Sequence, residues 1–286
     1  MSAPVVTSAA NSRFKRIRSL IHSARERRRE GASVLEGIHL VDTWLGGPEG
    51  GHRPVLELAL AQRGLQSEEV AGIIARAAIE PLVVQDRLFD SLATMPSPAP
   101  VLAVVKTPEP VLPPSLEQDT VVLDRIQDPG NVGAILRSVA AAGISRVITT
   151  PQTAWCWSPK VLRAAMGGHF SLSIHESQPW SGLAPLIRIP VAGAVAHGGT
   201  SLYQSSLDAP CVWVFGNEGE GLTEEIERGL DWRLTIPQAG SVESLNVAAA
   251  AAVCLFEQRR QRLYWRSSGS PGSPGSPGSS GTSASD

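Results

Sequence analysis

From residue 119 to residue 265 short apolar runs alternate with helical patterns. The runs fall at 120–123, 146–149, 171–174, 191–195, 211–215 and 233–236. They are continuous rather than alternating, so each predicts a strand buried on both faces. Together they predict a mainly parallel sheet with helices on both faces. In such sheets ligands lie beyond the carboxyl ends of the strands. Residues 1–106 predict a smaller α/β unit. It comprises a basic helix over 12–29, an apolar stretch at 32–35, a helix over 37–45, strands at 55–60, 82–84 and 101–105, and a short helix over 87–92. Between the first two strands of that set, Ser67 predicts an N-cap, with Glu68 and Glu69 in the first turn and Val70, Ile73, Ile74 and Ala77 at i, i+3, i+4 and i+7. Four prolines within 106–119 predict a linker over 107–118. Residues 266–286 are rich in Ser, Gly and Pro and predict a disordered tail.

Composition adds constraints. Hydrophobic residues make up 42% of 286, enough for one large or two modest cores. The net charge of −2 hides an asymmetry: residues 1–30 carry eight Lys/Arg against Glu26 and Glu30, leaving −8 for the remainder. This reads as a basic arm on a near-neutral body, with a solvated basic helix as the plainer alternative. Cys156, Cys211 and Cys254 are widely spaced, which argues against zinc and against a disulfide framework and suggests a reducing, cytoplasmic setting. No metal is expected. No apolar run reaches the length of a membrane span, and no secretory leader pattern is present.

Three strand-end motifs carry candidate chemistry. In D-P-G-N-V-G-A-I-L-R, residues 128–137, Asn131 is a candidate N-cap after a Pro-Gly turn. Gly133 sits early in the helix, where glycine is disfavoured by about 1 kcal/mol against alanine, and so suggests close backbone approach. Arg137 lies among apolar residues and could equally be a snorkelling side chain. In G-N-E-G-E-G-L-T, residues 216–223, the glycine order fits neither G-x-G-x-x-G nor a P-loop. Glu218 and Glu220 suit a neutral or cationic ligand better than a phosphate; a flexible turn is the alternative. The third motif begins I-P-Q-A-G-S-V-E-S-L-N-V at residue 236. There Ser244 predicts an N-cap, Asn246 lies in the first turn, and five alanines at 248–252 permit close packing on another backbone.

N-x-G-x-x-x-R, G-N-E-G-x-G-L and I-P-x-x-x-x-x-S-L-N-V, in that order, resemble the SpoU/TrmH family of RNA 2′-O-ribose methyltransferases in the SPOUT superfamily. The segment S-P-K-V-L-R-A-A-M-G-G at 158–168 is also similar to the family. The resemblance implies a deep trefoil knot and S-adenosyl-L-methionine held in a bent form by three loops. Matching positions for the cofactor are Val195, Ala196, Gly216, Asn217, Gly219, Gly221, Ile236, Leu245 and Asn246. Those for catalysis or RNA contact are Asn131, Arg137, Glu218, Ser244 and Asn246. A homodimer is also implied. The N-terminal half resembles the family's ribosomal-protein-like accessory domain through R-F-K-R-I-R-S-L, V-L-E-G-I-H-L-V and S-L-A-T-M-P-S-P-A-P-V-L-A-V-V. That likeness implies RNA contacts at Arg13, Lys15, Arg16, Arg18, Arg25, Arg27 and Arg28 besides Arg137, and favours ribosomal over transfer RNA. A non-catalytic RNA-binding or ribosome-assembly protein of the same fold is the alternative.

Overall fold

The structure is a computed structural model that describes residues 4–47, 53–94, 97–239 and 244–267, with side chains described to 263. The tail expected over 266–286 lies almost wholly outside the described residues. The first unit contains α1 (Ser12–His22), α2 (Ala24–Glu30), β1 (Ala32–Glu36), α3 (Ile38–Gly46), β2 (Glu57–Ala61), α4 (Glu68–Ala77), β3 (Leu82–Val84), α5 (Asp86–Asp90) and β4 (Val101–Lys106). Its four-stranded sheet has the order β1-β4-β2-β3, with only the β2–β3 pair parallel.

The basic helix expected over 12–29 is two helices. Ser23 adopts an extended conformation between them and its hydroxyl accepts from the Glu26 amide, so one residue ends α1 and caps α2. This segment is not a loose arm. Phe14, Ile17 and Leu20 are fully buried and, with Ile21, form part of the domain core with β1, β3 and β4. The 3.6-residue spacing of that apolar stripe outweighs the charge between its members.

The second unit contains β5 (Thr120–Leu123), α6 (Pro129–Ala142), β6 (Arg146–Thr149), α7 (Pro159–Ala165), β7 (Ser173–His175), α8 (Trp180–Leu183), β8 (Val191–Ala194), β9 (Thr200–Ser201), β10 (Val212–Phe215), α9 (Glu224–Arg228), β11 (Trp232–Thr235) and α10 (Val247–Ser267). Its seven-stranded sheet has the order β7-β6-β5-β10-β8-β11-β9, and every pair is parallel. The expected parallel sheet is therefore observed. β9 has two residues and no pattern by which the sequence would reveal it. After β5 the chain runs outward through β6 and β7, then crosses to β8 on the far side of β10, which makes the β5/β10 boundary a switch in strand order. The chain expected to close the knot runs through 240–243, outside the described residues.

Two expected caps differ. Asp128, not Asn131, caps α6, its carboxylate accepting from the Asn131 amide at 2.8 Å. Asn246, not Ser244, caps α10, its Oδ1 accepting from the amides of Ala248 and Ala249 at 2.9 and 3.3 Å. At α6 the true cap frees the Asn131 side chain for other contacts, and at α10 the cap itself makes one through its Nδ2. The alanine-rich start of α10 packs against α6, with Ala251, Cys254 and Leu255 buried. The segment between the domains is pinned at both ends. The Thr107 amide donates to the Gly31 carbonyl at 2.8 Å and the Leu116 amide to the Leu186 carbonyl at 2.8 Å, with Leu116 fully buried in the second unit.

Gly133 faces α7 at a distance that admits no side chain. A Cβ there would stand 2.4 Å from the Ala164 Cβ and 2.8 Å from the Val161 carbonyl oxygen. Gly133→Ala should therefore lower stability by about 1–3 kcal/mol, the overpacking exceeding the gain in helix propensity. Gly72 in α4 meets nothing within 4 Å, so Gly72→Ala should raise stability by up to about 1 kcal/mol. Paired thermal melts test the contrast; equal shifts for both variants would contradict the packing argument.

Candidate functional site

A cavity of about 510 Å³ opens beyond the carboxyl ends of β8, β10 and β11. Val195, Ala196, Gly216, Asn217, Gly219, Gly221, Ile236, Leu245 and Asn246, the nine positions matched to cofactor binding by sequence, all line it. Glu218 and Ser244 line it as well.

The loop after β10 is rigid rather than a flexible turn. Asn217 and Gly221 exchange backbone hydrogen bonds at 2.9 and 3.0 Å. The Asn217 Oδ1 accepts from the amides of Gly219 and Glu220, and its Nδ2 donates to the Arg125 carbonyl at 2.9 Å. Gly216 must be glycine because a Cβ would lie 2.4 Å from the Gly221 carbonyl carbon. Gly221 has φ +70°, a conformation costly for other residues.

The residues that brace this loop were not singled out in the sequence. Asp124, at the end of β5, is 1% exposed. Its carboxylate accepts from the Thr150 hydroxyl and from the Thr223 amide, each at 2.9 Å. Arg125 adopts φ +55°, pairs with Glu220, and donates to the Gly221 carbonyl at 3.3 Å. The available signal was an aspartate directly after three apolar residues, Val121, Val122 and Leu123, since a charge in that position must find buried partners.

At the rim, the three motifs meet in one string. The Asn246 Nδ2 donates to the Asn131 Oδ1 at 2.9 Å, and the Asn131 Nδ2 donates to the Glu218 Oε1 at 2.9 Å. The cap on α10 orients Asn246, which orients Asn131, which in turn holds Glu218. Arg137 is not part of this group. It is exposed, it lies six residues further along α6, about 9 Å along the axis, and it does not line the cavity. It makes no hydrogen bond or ion pair among the described residues.

The backing of Arg137 is close-packed. A Cβ on Gly168 would lie 3.1 Å from the Arg137 Cα. From the first unit, Trp44 meets Phe170 edge-on at 5.3 Å, and Arg53 donates to the Phe170 carbonyl at 2.8 Å. His169 is buried, its Nε2–H donating to the Cys156 carbonyl at 2.7 Å.

The basic residues of α1 and α2 divide by role. Arg27 is buried, and its guanidinium donates to the Leu20 and Ile21 carbonyls at 2.6 and 2.8 Å, satisfying the end of α1. That use ties its guanidinium to the helix end, beside the Trp155 ring. Arg13 pairs with Glu57, and Arg16 with Glu30 and Glu57. Lys15, Arg18, Arg25 and Arg28 are exposed and have no ion-pair partner among the described residues.

A parallel sheet whose carboxyl edge carries a loop-built cavity, rimmed by an Asn–Asn–Glu string, defines a doubly wound α/β protein with a candidate small-molecule site at its switch in strand order. The chain belongs to the SpoU rRNA Methylase family, whose profile matches residues 119–256, and it is an RNA methyltransferase. It is 31% identical to an uncharacterised tRNA/rRNA methyltransferase of Synechocystis, covering 92% of this chain and 95% of that one. It is 28% identical to the 23S rRNA guanosine 2′-O-methyltransferase RlmP of Bacillus subtilis, over 89% of this chain and 98% of that one. Among solved structures it resembles the SpoU methyltransferase AviRb of Streptomyces viridochromogenes in complex with AdoMet, with 28% identity, TM-score 0.74, and coverage of 89% and 100%. No described helix is long and apolar enough to cross a membrane.

Two predictions follow from these contacts. Asn246→Asp retains a capping acceptor at a favourable helix N-terminus but loses the donor to Asn131. Its melting temperature should stay near that of the wild type while methyl transfer falls; Asn246→Ala should lose about 1 kcal/mol of stability as well. An active Asn246→Asp enzyme would remove the string from the mechanism. Separately, burial pushes the His169 imidazole down from 6.5 to about 4. The folded protein keeps it neutral where the unfolded chain takes up a proton. The stability it contributes is present above pH 6.5 and lost as pH falls towards 4, by about 3 kcal/mol at most. Between pH 7 and 4.5 the wild type should lose more melting temperature than His169→Gln; parallel curves would contradict this.

Proposed function

We propose that this chain transfers a methyl group from S-adenosyl-L-methionine to a ribose 2′-hydroxyl of ribosomal RNA. The supporting observation is that all nine positions expected to hold the cofactor line one cavity that the Asn246–Asn131–Glu218 string closes on one side. The residues present fit that cofactor. The Gln238 Oε1 is a buried acceptor without a partner among the described residues, and it lines the cavity where a ligand amino group would satisfy it. Glu218, Glu220 and Glu227 also line it and favour a cationic ligand. When bound, the cofactor supplies an activated methyl group on a positively charged sulfonium.

The protein's own part is alignment and electrostatics. The rigid loop at 216–221 and the capped start of α10 fix the ligand's surroundings before substrate arrives, and alignment of this kind is worth several kcal/mol. Asn131 and Asn246 orient the ribose and the loops through their amides. The Arg137 guanidinium lies outside the cavity, where it is free to hold an RNA phosphate and to favour negative charge on the ribose oxygen. Arginine stays protonated in proteins, so a phosphate oxygen or water that Arg137 orients is the better proton acceptor. Lys15, Arg18, Arg25 and Arg28 supply a salt-sensitive surface for RNA backbone. The relatives that act on 23S rRNA favour ribosomal over transfer RNA as the substrate. A homodimer is part of this reading, supported by the exposed Phe256 and Leu263 on α10.

Arg137→Ala should bind S-adenosylmethionine within a few-fold of wild type while single-turnover methylation falls about a hundredfold or more. Arg137→Lys should recover little, because a lysine lacks the planar fork. RNA carrying a 2′-deoxy nucleotide at the target should bind without accepting the methyl group. Methylation of that RNA at the normal rate would show that the acceptor is a base atom. Loss of cofactor binding in Arg137→Ala, with transfer intact, would overturn the role assigned to Arg137.

A further inference from the structure

A second cleft, of about 350 Å³, lies between α2, the inter-domain segment and the carboxyl ends of β6 and β7. Arg28, Trp155, His175, Glu176 and Gln178 line it, together with residues 107–110. It shares an edge of the sheet with the cofactor cavity. The chain after β7 crosses the end of β6, the Gln178 amide donating to the Thr149 carbonyl at 2.8 Å. The chain leading to Trp155 is tied to the end of β5, the Ala154 amide donating to the Ile126 carbonyl at 2.8 Å. β7 and β10 are three strand spacings apart in the sheet order, about 14 Å.

The cleft has a layered wall and a single-sided polar reader. The guanidinium carbons of Arg27 and Arg28 lie 5.2 and 5.8 Å from the centre of the Trp155 ring. Arg27 is held by the α1 carbonyls, whereas Arg28 is exposed and has no ion-pair partner among the described residues. Glu176 is half-buried, and its Oε1 accepts from the Cys156 amide at 2.7 Å, which fixes the carboxylate in place. Burial lifts this carboxyl above its ordinary value, against the pull of that amide, Trp155 and Arg28. The Cys156 amide uses one lone pair of one oxygen, so the fixed carboxylate keeps further accepting capacity towards the cleft it lines.

We propose that this cleft is a subsite for an unstacked guanine base of the RNA substrate. The inference rests on the assignment of an RNA substrate made above. Unpaired bases in RNA are read by layering on aromatic rings and guanidinium planes and by hydrogen bonds to their Watson–Crick edges. An ionised carboxylate only accepts. Guanine is the base that presents two adjacent N–H donors, N1–H and the N2 amino group, to match it. Its O6 acceptor then faces a cation, the part that Arg28 fills. A phosphate is a poor occupant beside Glu176 and Glu109, both of which line the cleft. The subsite stands far enough from the cofactor cavity to select a nucleotide near the methylated ribose rather than the methylated nucleotide itself.

The test uses the full chain with 5′-GMP as the probe and S-adenosylhomocysteine in excess to occupy the cofactor cavity. The Trp155 indole N–H signal, identified by its loss in Trp155→Phe, should shift saturably with 5′-GMP. It should stay in place with 5′-AMP, 5′-CMP and 5′-UMP. Glu176→Gln should weaken 5′-GMP binding by about tenfold or more, as expected for hydrogen bonds to a charged group. Arg28→Ala alters an exposed side chain and should also weaken it, which keeps the test decisive if Glu176→Gln fails to fold. No shift with 5′-GMP, or equal shifts with all four nucleotides, overturns the proposal. Calorimetry with S-adenosylmethionine is read separately: its failure would remove the functional reading, whereas a silent Trp155 signal with intact cofactor binding removes only the guanine subsite.

Discussion

A carboxylate buried at the end of a strand must be hydrogen-bonded, and the cavity edge of this protein's parallel sheet is arranged around that requirement at Asp124. With 1% of its surface exposed, Asp124 takes the Thr150 hydroxyl from the end of β6 and the Thr223 amide from the chain entering α9. The same Thr150 oxygen accepts from the Arg125 amide at 3.1 Å. Arg125 then reaches Glu220 and the Gly221 carbonyl, so three strand ends are fixed by one charge. Leaving the buried Asp124 carboxylate or Thr150 hydroxyl unpaired would cost about 1–3 kcal/mol or more. The loop that walls the cavity is thus held by the sheet itself.

The rim depends on a second arrangement with a direction built into it. Asn246 accepts at its oxygen from the first turn of α10 and donates from its nitrogen to Asn131. A side-chain amide has one acceptor end and one donor end, so capping the helix decides which end faces the site. Helix α6 meanwhile is capped by Asp128, which leaves the Asn131 side chain free to continue the string to Glu218.

Much of this architecture is legible in the sequence, because buried parallel strands advertise themselves as unbroken apolar runs. Residues 120–123 and 146–149 become β5 and β6 without change. The motif residues around Asn131, Glu218 and Asn246 are each ordinary turn or cap residues taken singly, and only the order of the three motifs together points to one site, where the structure joins them. Which of two polar residues a few positions apart caps a helix is not legible. Asp128 and Asn131 are both good caps, and the choice depends on what else each must bond, which is tertiary information. Charge misleads in α1 and α2 for a related reason. Eight basic residues suggest a free arm, yet Arg27 closes the end of a helix and the stripe from Phe14 to Ile21 is core. Arg125 escapes notice because its positive φ and its partner 95 residues away leave no local trace.

The pinned segment between the two units turns their separation into a measuring device. Its first residue is bonded to Gly31 and its tenth to Leu186, and between them stand four prolines with little freedom to stretch or coil. The basic face of α1 and the cavity beyond β8, β10 and β11 are therefore held at a set span, like the jaws of a caliper set to one gauge. On the RNA-contacting role proposed for α1 and α2, a nucleotide would be chosen by how far it lies from the docked stretch of backbone, and the first unit would act as a ruler for position as well as a source of affinity.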